Sequence, residues 1–199
     1  MNEAALILFV KNPAFGKVKT RLAATVGAPM ALRIYKALLL RLRQTAEKLP
    51  FRRYAFFSDE NWTPREWPEE TYQHRIQSGE DIGTRMHNAF AEVLSENQQA
   101  VLVGSDIPGL TATIIKTAFE ELKEKDLVLG PARDGGYYLI GLKAPCAGLF
   151  EGISWSTEKV LDETLHKAQE LGLSFALLPT LSDVDYEEDW LEHGWDLDA

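Results

Sequence analysis

The sequence predicts an α/β fold: a mostly parallel sheet with helices on both faces and one reversed strand. Three observations lead there. Short continuous apolar runs, at residues 4–10 and 100–103, read as strands buried on both faces. The segments between such runs carry apolar residues at three- and four-residue spacing, the period of an amphipathic helix. Finally, the strands expected at 127–129 and 137–142 are joined by too few residues for a parallel crossover, which needs about a dozen, so that pair is antiparallel.

Taken in order, the strand at 4–10 is followed by a loop containing Pro13 and Gly16. Pro29 opens a helix reaching about residue 49, with Leu32, Tyr35, Leu38, Leu39, Leu42 and Ala46 on one face. Residues 53–58 form an aromatic-rich strand, and 59–71, with Pro64 and Pro68 among polar residues, read as a surface loop. A short third strand at 72–77 precedes a helix at about 81–96 that places Met86, Ala89, Phe90 and Val93 together. The strand at 100–103 ends in Gly104, Ser105 and Asp106. Thr111 caps a helix carrying Ile114, Ile115, Ala118, Phe119 and Leu122. After the antiparallel pair, Ser156 or Thr157 caps a last long helix ending at Gly172, and 174–178 form the final strand. There are no repeats or low-complexity tracts, and a single domain over 1–199 is expected.

Composition narrows the function. The chain is 45% hydrophobic and 26% charged, which suits a globular protein with a sizeable core. Cys146 is the one cysteine, which excludes an intramolecular disulfide and any multi-cysteine metal site. The longest strongly apolar run, 6–10, is too short to cross a bilayer, and the start, with Glu3, has no leader-like pattern. A cytoplasmic protein with no membrane span is expected. A net charge of −9 argues against a nucleic-acid partner. The charge is segregated, however: residues 4–46 carry eight basic side chains and no acidic one, and 183–198 carry eight acidic side chains and no Lys or Arg. One region suits a compact anion and the other a cation, unless both are simply solvated faces.

Three loops fall at the carboxyl ends of strands, where open α/β sheets bind ligands. The first runs from Lys11 through Pro13, Gly16, Lys17, Lys19 and Arg21 to Leu22. Its glycine allows close backbone approach, and its cations suit a di- or triphosphate. It is not a Walker A loop, because Gly16-Lys17 is followed by Val18 and not by Ser or Thr. In the second, Gly104-Ser105-Asp106-Ile107-Pro108, a carboxylate at a strand end suits a hard divalent cation, though Asp106 is also placed to cap the next helix. Ser105 lacks the surroundings of a nucleophile elbow. In the third, Asp183 and Asp185 alternate along an extended segment and can face one cation, while Asp185 with Glu188 also fits a capping box. Asp134-Gly135-Gly136-Tyr137 reads either as a tight hairpin turn or as an acceptor contact. None of His74, His87, His166 or His193 forms a ligand pair at helical spacing.

The motifs at 8–22, 104–110, 129–142 and 183–190 resemble the nucleotide-diphospho-sugar transferase superfamily. More narrowly, they are similar to the bacterial radical-SAM/selenodomain-associated transferases, labelled glycosyltransferases and related to phospholactate guanylyltransferase and the molybdopterin nucleotidyltransferases. Trp155-Ser156-Thr157 and the run of Gln77, Gly79, Gly83, Arg85 and Met86 fit the same pattern. Tyr186 and Trp190 depart from it, standing where Thr and Leu are usual. The resemblance implies a three-layer, Rossmann-like sheet of the GT-A type. It implies that Lys11, Pro13, Gly16, Lys19, Arg21, Gln77, Gly79, Arg85 and Ser105 bind the nucleotide, with Lys19, Arg21 and Asp106 catalytic. Asp106, Asp183 and Asp185 would bind Mg²⁺ or Mn²⁺, and Asp134, Gly135, Gly136 and Tyr137 the acceptor. The implied partners are a nucleoside triphosphate or nucleotide sugar and a small-molecule acceptor, in a monomer or homodimer. The basic first loop favours nucleotidyl transfer with release of pyrophosphate. Glycosyl transfer from a nucleotide sugar, and a non-catalytic nucleotide-binding module, are the alternatives.

Overall fold

A computed structural model describes residues 2–60 and 66–197. Part of the loop expected at 59–71, including Pro64, lies outside the described residues, as does Asp198 of the acidic tail. The chain runs β1 (Asn2–Val10), α1 (Thr20–Val26), α2 (Ala28–Glu47), β2 (Arg52–Phe57), β3 (Gln73–Ile76), α3 (Ile82–Leu94), β4 (Asn97–Val103) and α4 (Ala112–Glu124). It continues through β5 (Leu127–Pro131), β6 (Tyr137–Leu142), a 3₁₀ turn (Ala147–Phe150), α5 (Val160–Glu170), β7 (Phe175–Leu177) and α6 (Glu187–His193).

The seven strands lie in the order β3-β2-β1-β4-β6-β5-β7. β1 pairs in parallel with both β2 and β4, β3 is parallel to β2, and β7 is parallel to β5. β6 is antiparallel to both its neighbours and is the one reversed strand. The expected sheet is therefore present. After β1 the chain moves outward through β2 and β3, then returns to place β4 on the other side of β1. That reversal leaves a crevice above the carboxyl ends of β1 and β4. Because β6 runs backwards, the β5–β6 turn opens onto the same edge.

Alternation along the central strand divides the core. Leu6, Leu8 and Val10 pack with Tyr35, Leu39 and Leu42 of α2 and Ile115, Phe119 and Leu122 of α4. Ala5, Ile7 and Phe9 meet Met86, Phe90 and Val93 of α3, Phe150 of the 3₁₀ turn and Ala168 of α5. A third cluster joins Leu22 of α1 to Ala31, Ile34 and Leu38 of α2 and to Val184.

Several local details differ from the sequence reading. α1 lies where a loop was expected; it is seven residues long and held by burial of Leu22, too short for periodicity to reveal. α5 begins at Val160, with Lys159 at its N-cap and no capping side chain. Ser156 instead takes a left-handed conformation, and Thr157 folds its hydroxyl back to the Ser154 carbonyl at 2.7 Å. α4 is capped by Thr111 as expected, so Asp106 caps no helix. The box at α6 is shifted by one residue: Tyr186 is the N-cap, and Asp189 accepts from the backbone N–H of Tyr186 (2.7 Å) and Asp185 (2.9 Å).

One close approach binds the loop before α5 to α3. A Cβ on Gly83 would stand 2.3 Å from the Trp155 ring, so the indole lies directly on the glycine backbone. Gly83→Ala must displace that ring, and overpacking of this kind typically costs about 1–3 kcal/mol. We expect a lowered Tm for Gly83→Ala, with recovery in the double variant Gly83→Ala/Trp155→Ala relative to the sum of the two single losses, measured by thermal unfolding.

Candidate functional site

The loop after β1 leaves the sheet with two anchors. Tyr35 of α2 places its phenol against Lys11, accepting from its N–H (3.1 Å) and donating to its carbonyl (2.9 Å), and lies 3.1 Å from Ser105 Oγ. One buried hydroxyl thus ties the ends of β1 and β4 together, and burial pushes its pKa up to about 12. The second anchor is Val18, buried in the core beside that tyrosine. Lys19, next along, adopts a left-handed conformation (φ 48°, ψ 48°), which costs a non-glycine residue roughly 1–2 kcal/mol. Such strain persists where surrounding contacts demand it.

Those contacts are ionic. Lys19 Nζ lies 2.9 Å from Asp106 Oδ2 and 3.1 Å from Asp185 Oδ1, and Arg21 reaches the other oxygen of Asp185 at 2.9 Å. The Lys19 side chain is only 7% exposed, whereas Asp106 and Asp185 are 38% and 31% exposed and open to the crevice. Burial pulls the Lys19 ammonium down, but the Asp106 and Asp185 carboxylates outweigh it and hold the group above the ordinary lysine value. Burial likewise pushes Asp106 up, and the Lys19 charge more than offsets it, holding the acid below the usual aspartate range. The acidic loop is fixed to the β4 loop by the Val184 N–H, which donates to the Asp106 carbonyl at 3.1 Å, while the Val184 side chain is fully buried.

These groups line a cleft of about 760 Å³. Of the residues singled out in the sequence, Lys11, Lys19, Arg21, Gln77, Ser105, Asp106, Asp134, Gly136, Tyr137, Asp183 and Asp185 line it. Pro13, Gly16, Gly79, Arg85 and Gly135 do not. Gly16 has a positive φ of 70° and turns the first loop, while Arg85 donates from Nε to the Gly79 carbonyl at 3.0 Å. Gly135 packs on the backbone of Glu158, where a Cβ would meet the Glu158 carbonyl oxygen at 2.2 Å. Gln77 turns its amide nitrogen to the carbonyls of Phe56 (2.9 Å) and Val10 (3.4 Å). Asp134 accepts from the Gly136 N–H at 2.9 Å. Lys17, Met86 and Trp155, named in the sequence only as members of motifs, also line the cleft, and so does Tyr35, which was not among the expected site residues. Tyr35 fell on the apolar face of α2, where its spacing marks only a core position.

Among the described residues, no group of three or more His, Cys, Asp or Glu side chains is arranged to hold a metal ion. Asp106, Asp183 and Asp185 therefore form no complete cage. Asp106 and Asp185 do converge on one point, now held by Lys19 Nζ. Two carboxylates completed by phosphate oxygens are a usual way to bind Mg²⁺, so the donor set fits a hard cation arriving with a polyphosphate.

The arrangement has the fold of nucleotide-utilising transferases, with a charged cleft at the switch point of the sheet. Residues 41–157 match a family described as an uncharacterized protein conserved in bacteria (DUF2064), and the chain belongs to it. No curated protein matches the chain significantly. It is similar, at 32% identity and a TM-score of 0.86, to a protein of Desulfovibrio desulfuricans G20 provisionally assigned as a nucleotide-diphospho-sugar transferase, covering 94% of this chain and 84% of that one. The fold is shared with CMP:2-keto-3-deoxy-manno-octonic acid synthetase in complex with CTP (9% identity, TM-score 0.60, 96% of each chain). It is also shared with glucosyl-3-phosphoglycerate synthase from Mycobacterium tuberculosis in complex with Mn²⁺ and UDP (11% identity, TM-score 0.57, 96% of this chain and 75% of that one). The nucleotide-diphospho-sugar transferase superfamily and its GT-A fold are thus confirmed. Among the described residues, no helix is long and apolar enough to cross a membrane.

Asp183 offers a pH test of this acid cluster. Burial, then the charges of Asp134, Asp106 and Asp185, push its carboxyl up to about 6. A carboxyl raised in the folded state binds more protons there than in the unfolded chain, so it lowers stability as pH rises from about 4 to about 6. Asp183→Asn should therefore be more stable than the parent by about 1–2 kcal/mol at pH 7, after discounting for partial exposure, with no gain below about pH 4. Thermal unfolding across that range, in metal-free buffer, measures it.

Proposed function

We propose that this protein is a metal-dependent transferase acting on an activated nucleotide. Its reaction would move a nucleotidyl group from a nucleoside triphosphate to a small acceptor and release pyrophosphate. The carrying observation is the meeting of Lys19 with Asp106 and Asp185 at the switch point, bordered by Lys11, Lys17 and Arg21. The four cations come from one short stretch after β1, the loop and the first turn of α1, a density suited to a departing diphosphate more than to a single phosphate. Lys19 and Arg21 would hold the phosphates, and Lys17 would add charge at the rim. Gln77 and Ser105 would border the nucleoside. Asp106 and Asp185, with Asp183 nearby, would hold Mg²⁺ or Mn²⁺, which when bound neutralises phosphate charge. The acceptor oxygen, oriented beside Asp134, Gly136 and Tyr137, attacks the α-phosphorus as the bond to pyrophosphate breaks. Catalysis comes from positioning and charge neutralisation, with no covalent enzyme intermediate.

Glycosyl transfer is the second reading. Support for it comes from the 32% identical protein provisionally assigned to sugar-nucleotide chemistry, together with the glucosyl-3-phosphoglycerate synthase fold relative. In that reaction the same cations would receive a departing nucleoside diphosphate.

The two are separated by product. Each nucleoside triphosphate and each common nucleotide sugar is incubated with the protein, Mg²⁺ or Mn²⁺, and a panel of hydroxyl and phosphate acceptors. Pyrophosphate from a triphosphate is the expected result; UDP or GDP from sugar donors, with no pyrophosphate, reverses the assignment. Asp106→Ala should reduce whichever turnover is seen by roughly 10²–10³-fold, the usual loss on removing one preorganised electrostatic contact.

A further inference from the structure

We propose that the Lys19 ammonium is the site's built-in counter-ion, occupying the cation position between Asp106 and Asp185, so that a divalent cation binds there only together with a polyphosphate that draws Lys19 away. This inference rests on the nucleotide-transferase reading and specifies the form in which substrate is accepted: a metal chelate, with no prior loading by free metal.

The geometry makes the two occupants exclusive. Nζ stands 2.9 Å from one oxygen of Asp106 and 3.1 Å from one of Asp185, within hydrogen-bonding reach of both acids at once. A cation coordinated by the same two oxygens needs the space that Nζ fills, since metal–oxygen distances are about 2.0–2.1 Å for Mg²⁺. Charge gives the same answer. Lys19 and Arg21 together balance Asp106 and Asp185, so while the two pairings hold, these two acids by themselves offer a free divalent ion no net charge. Each half of the exchange is costly alone. If a metal displaces Lys19 with no anion present, a mostly buried ammonium loses both partners. If a polyphosphate draws Lys19 away with no metal present, two carboxylates are left beside an incoming anion. Supplied together, metal and polyphosphate meet every charge. Binding of the two is therefore positively coupled, and the coupling is reciprocal.

The backbone fits a residue held by this exchange. Lys19 sits at the start of α1 in a left-handed conformation, while its neighbour Val18 is fixed in the core. Arg21 has a 63% exposed side chain and is free to follow the phosphates without any rearrangement of the core.

Mn²⁺ binding followed by titration calorimetry and by the electron paramagnetic resonance signal of the free ion tests the proposal without any assay of activity. The proteins are the parent, Lys19→Met, and Lys19→Gly, the last because glycine accepts a positive φ and guards against a folding failure in the first. The probes are Mn²⁺ alone and Mn²⁺ with an α,β-methylene analogue of each nucleoside triphosphate. For the parent, an analogue should tighten Mn²⁺ binding by about tenfold or more, within the usual range of coupling between sites. Both Lys19 variants should bind Mn²⁺ alone about tenfold more tightly than the parent, with a much smaller further gain from the analogue. Variants that fold but bind Mn²⁺ alone no better than the parent overturn the proposal. A parent protein that binds no analogue under any condition overturns the nucleotide reading; the comparison of variants with Mn²⁺ alone then still decides whether Lys19 excludes the metal.

Discussion

An ammonium that is almost completely covered must find negative charge or be expelled, and this requirement organises the site. Lys19 finds two carboxylates, from loops 87 and 166 positions away along the chain. Neither acid is sealed from water, so the pairing avoids the full penalty of a buried ion pair while leaving both carboxylates accessible. A left-handed backbone at Lys19 is the local cost of bringing the charge inward.

What makes the meeting reproducible is apolar. Each charged residue sits beside a buried aliphatic one: Val18 before Lys19, Ile107 after Asp106, Val184 before Asp185. Those three side chains fix their loops to the hydrophobic clusters, and the charged neighbours are aimed as a consequence. Tyr35 adds a hydrogen-bonded rivet between the β1 and β4 ends, a position where its hydroxyl serves the site and its ring serves the core. The site is therefore built on the packed sheet and depends little on the stiffness of the loops themselves.

The sheet order supplies the remaining constraint. With β4 placed beside β1 on the side opposite β2, two neighbouring strands send their chains in diverging directions, and the cleft lies in the gap. The reversed β6 then brings Asp134, Gly136 and Tyr137 to the same edge as the phosphate-type loop. A parallel strand in that place would have required a crossover and would have started at the opposite edge of the sheet, carrying Tyr137 away from the cleft.

The strand and helix succession, the reversed strand, the basic first loop and the two separated acids were all legible in the residues, because hydrophobic period, crossover length and charge are properties of short stretches. Strand order was not, nor was the pairing of Lys19 with Asp106 and Asp185, since both depend on contacts across most of the chain. The short helix α1 escaped because seven residues carry too little periodicity, and the true start of α5 because its turn is shaped by Ser156 and Thr157 folding back on themselves. Tyr35 shows the limit plainly: its position on α2 announces a core residue, while its hydroxyl acquires a role only once Lys11 and Ser105 are folded against it. The sequence by itself determined which chemical groups are available and which segments can be buried. Only the tertiary structure decided which of those groups share one cleft, because that proximity follows from long-range packing and not from local propensity.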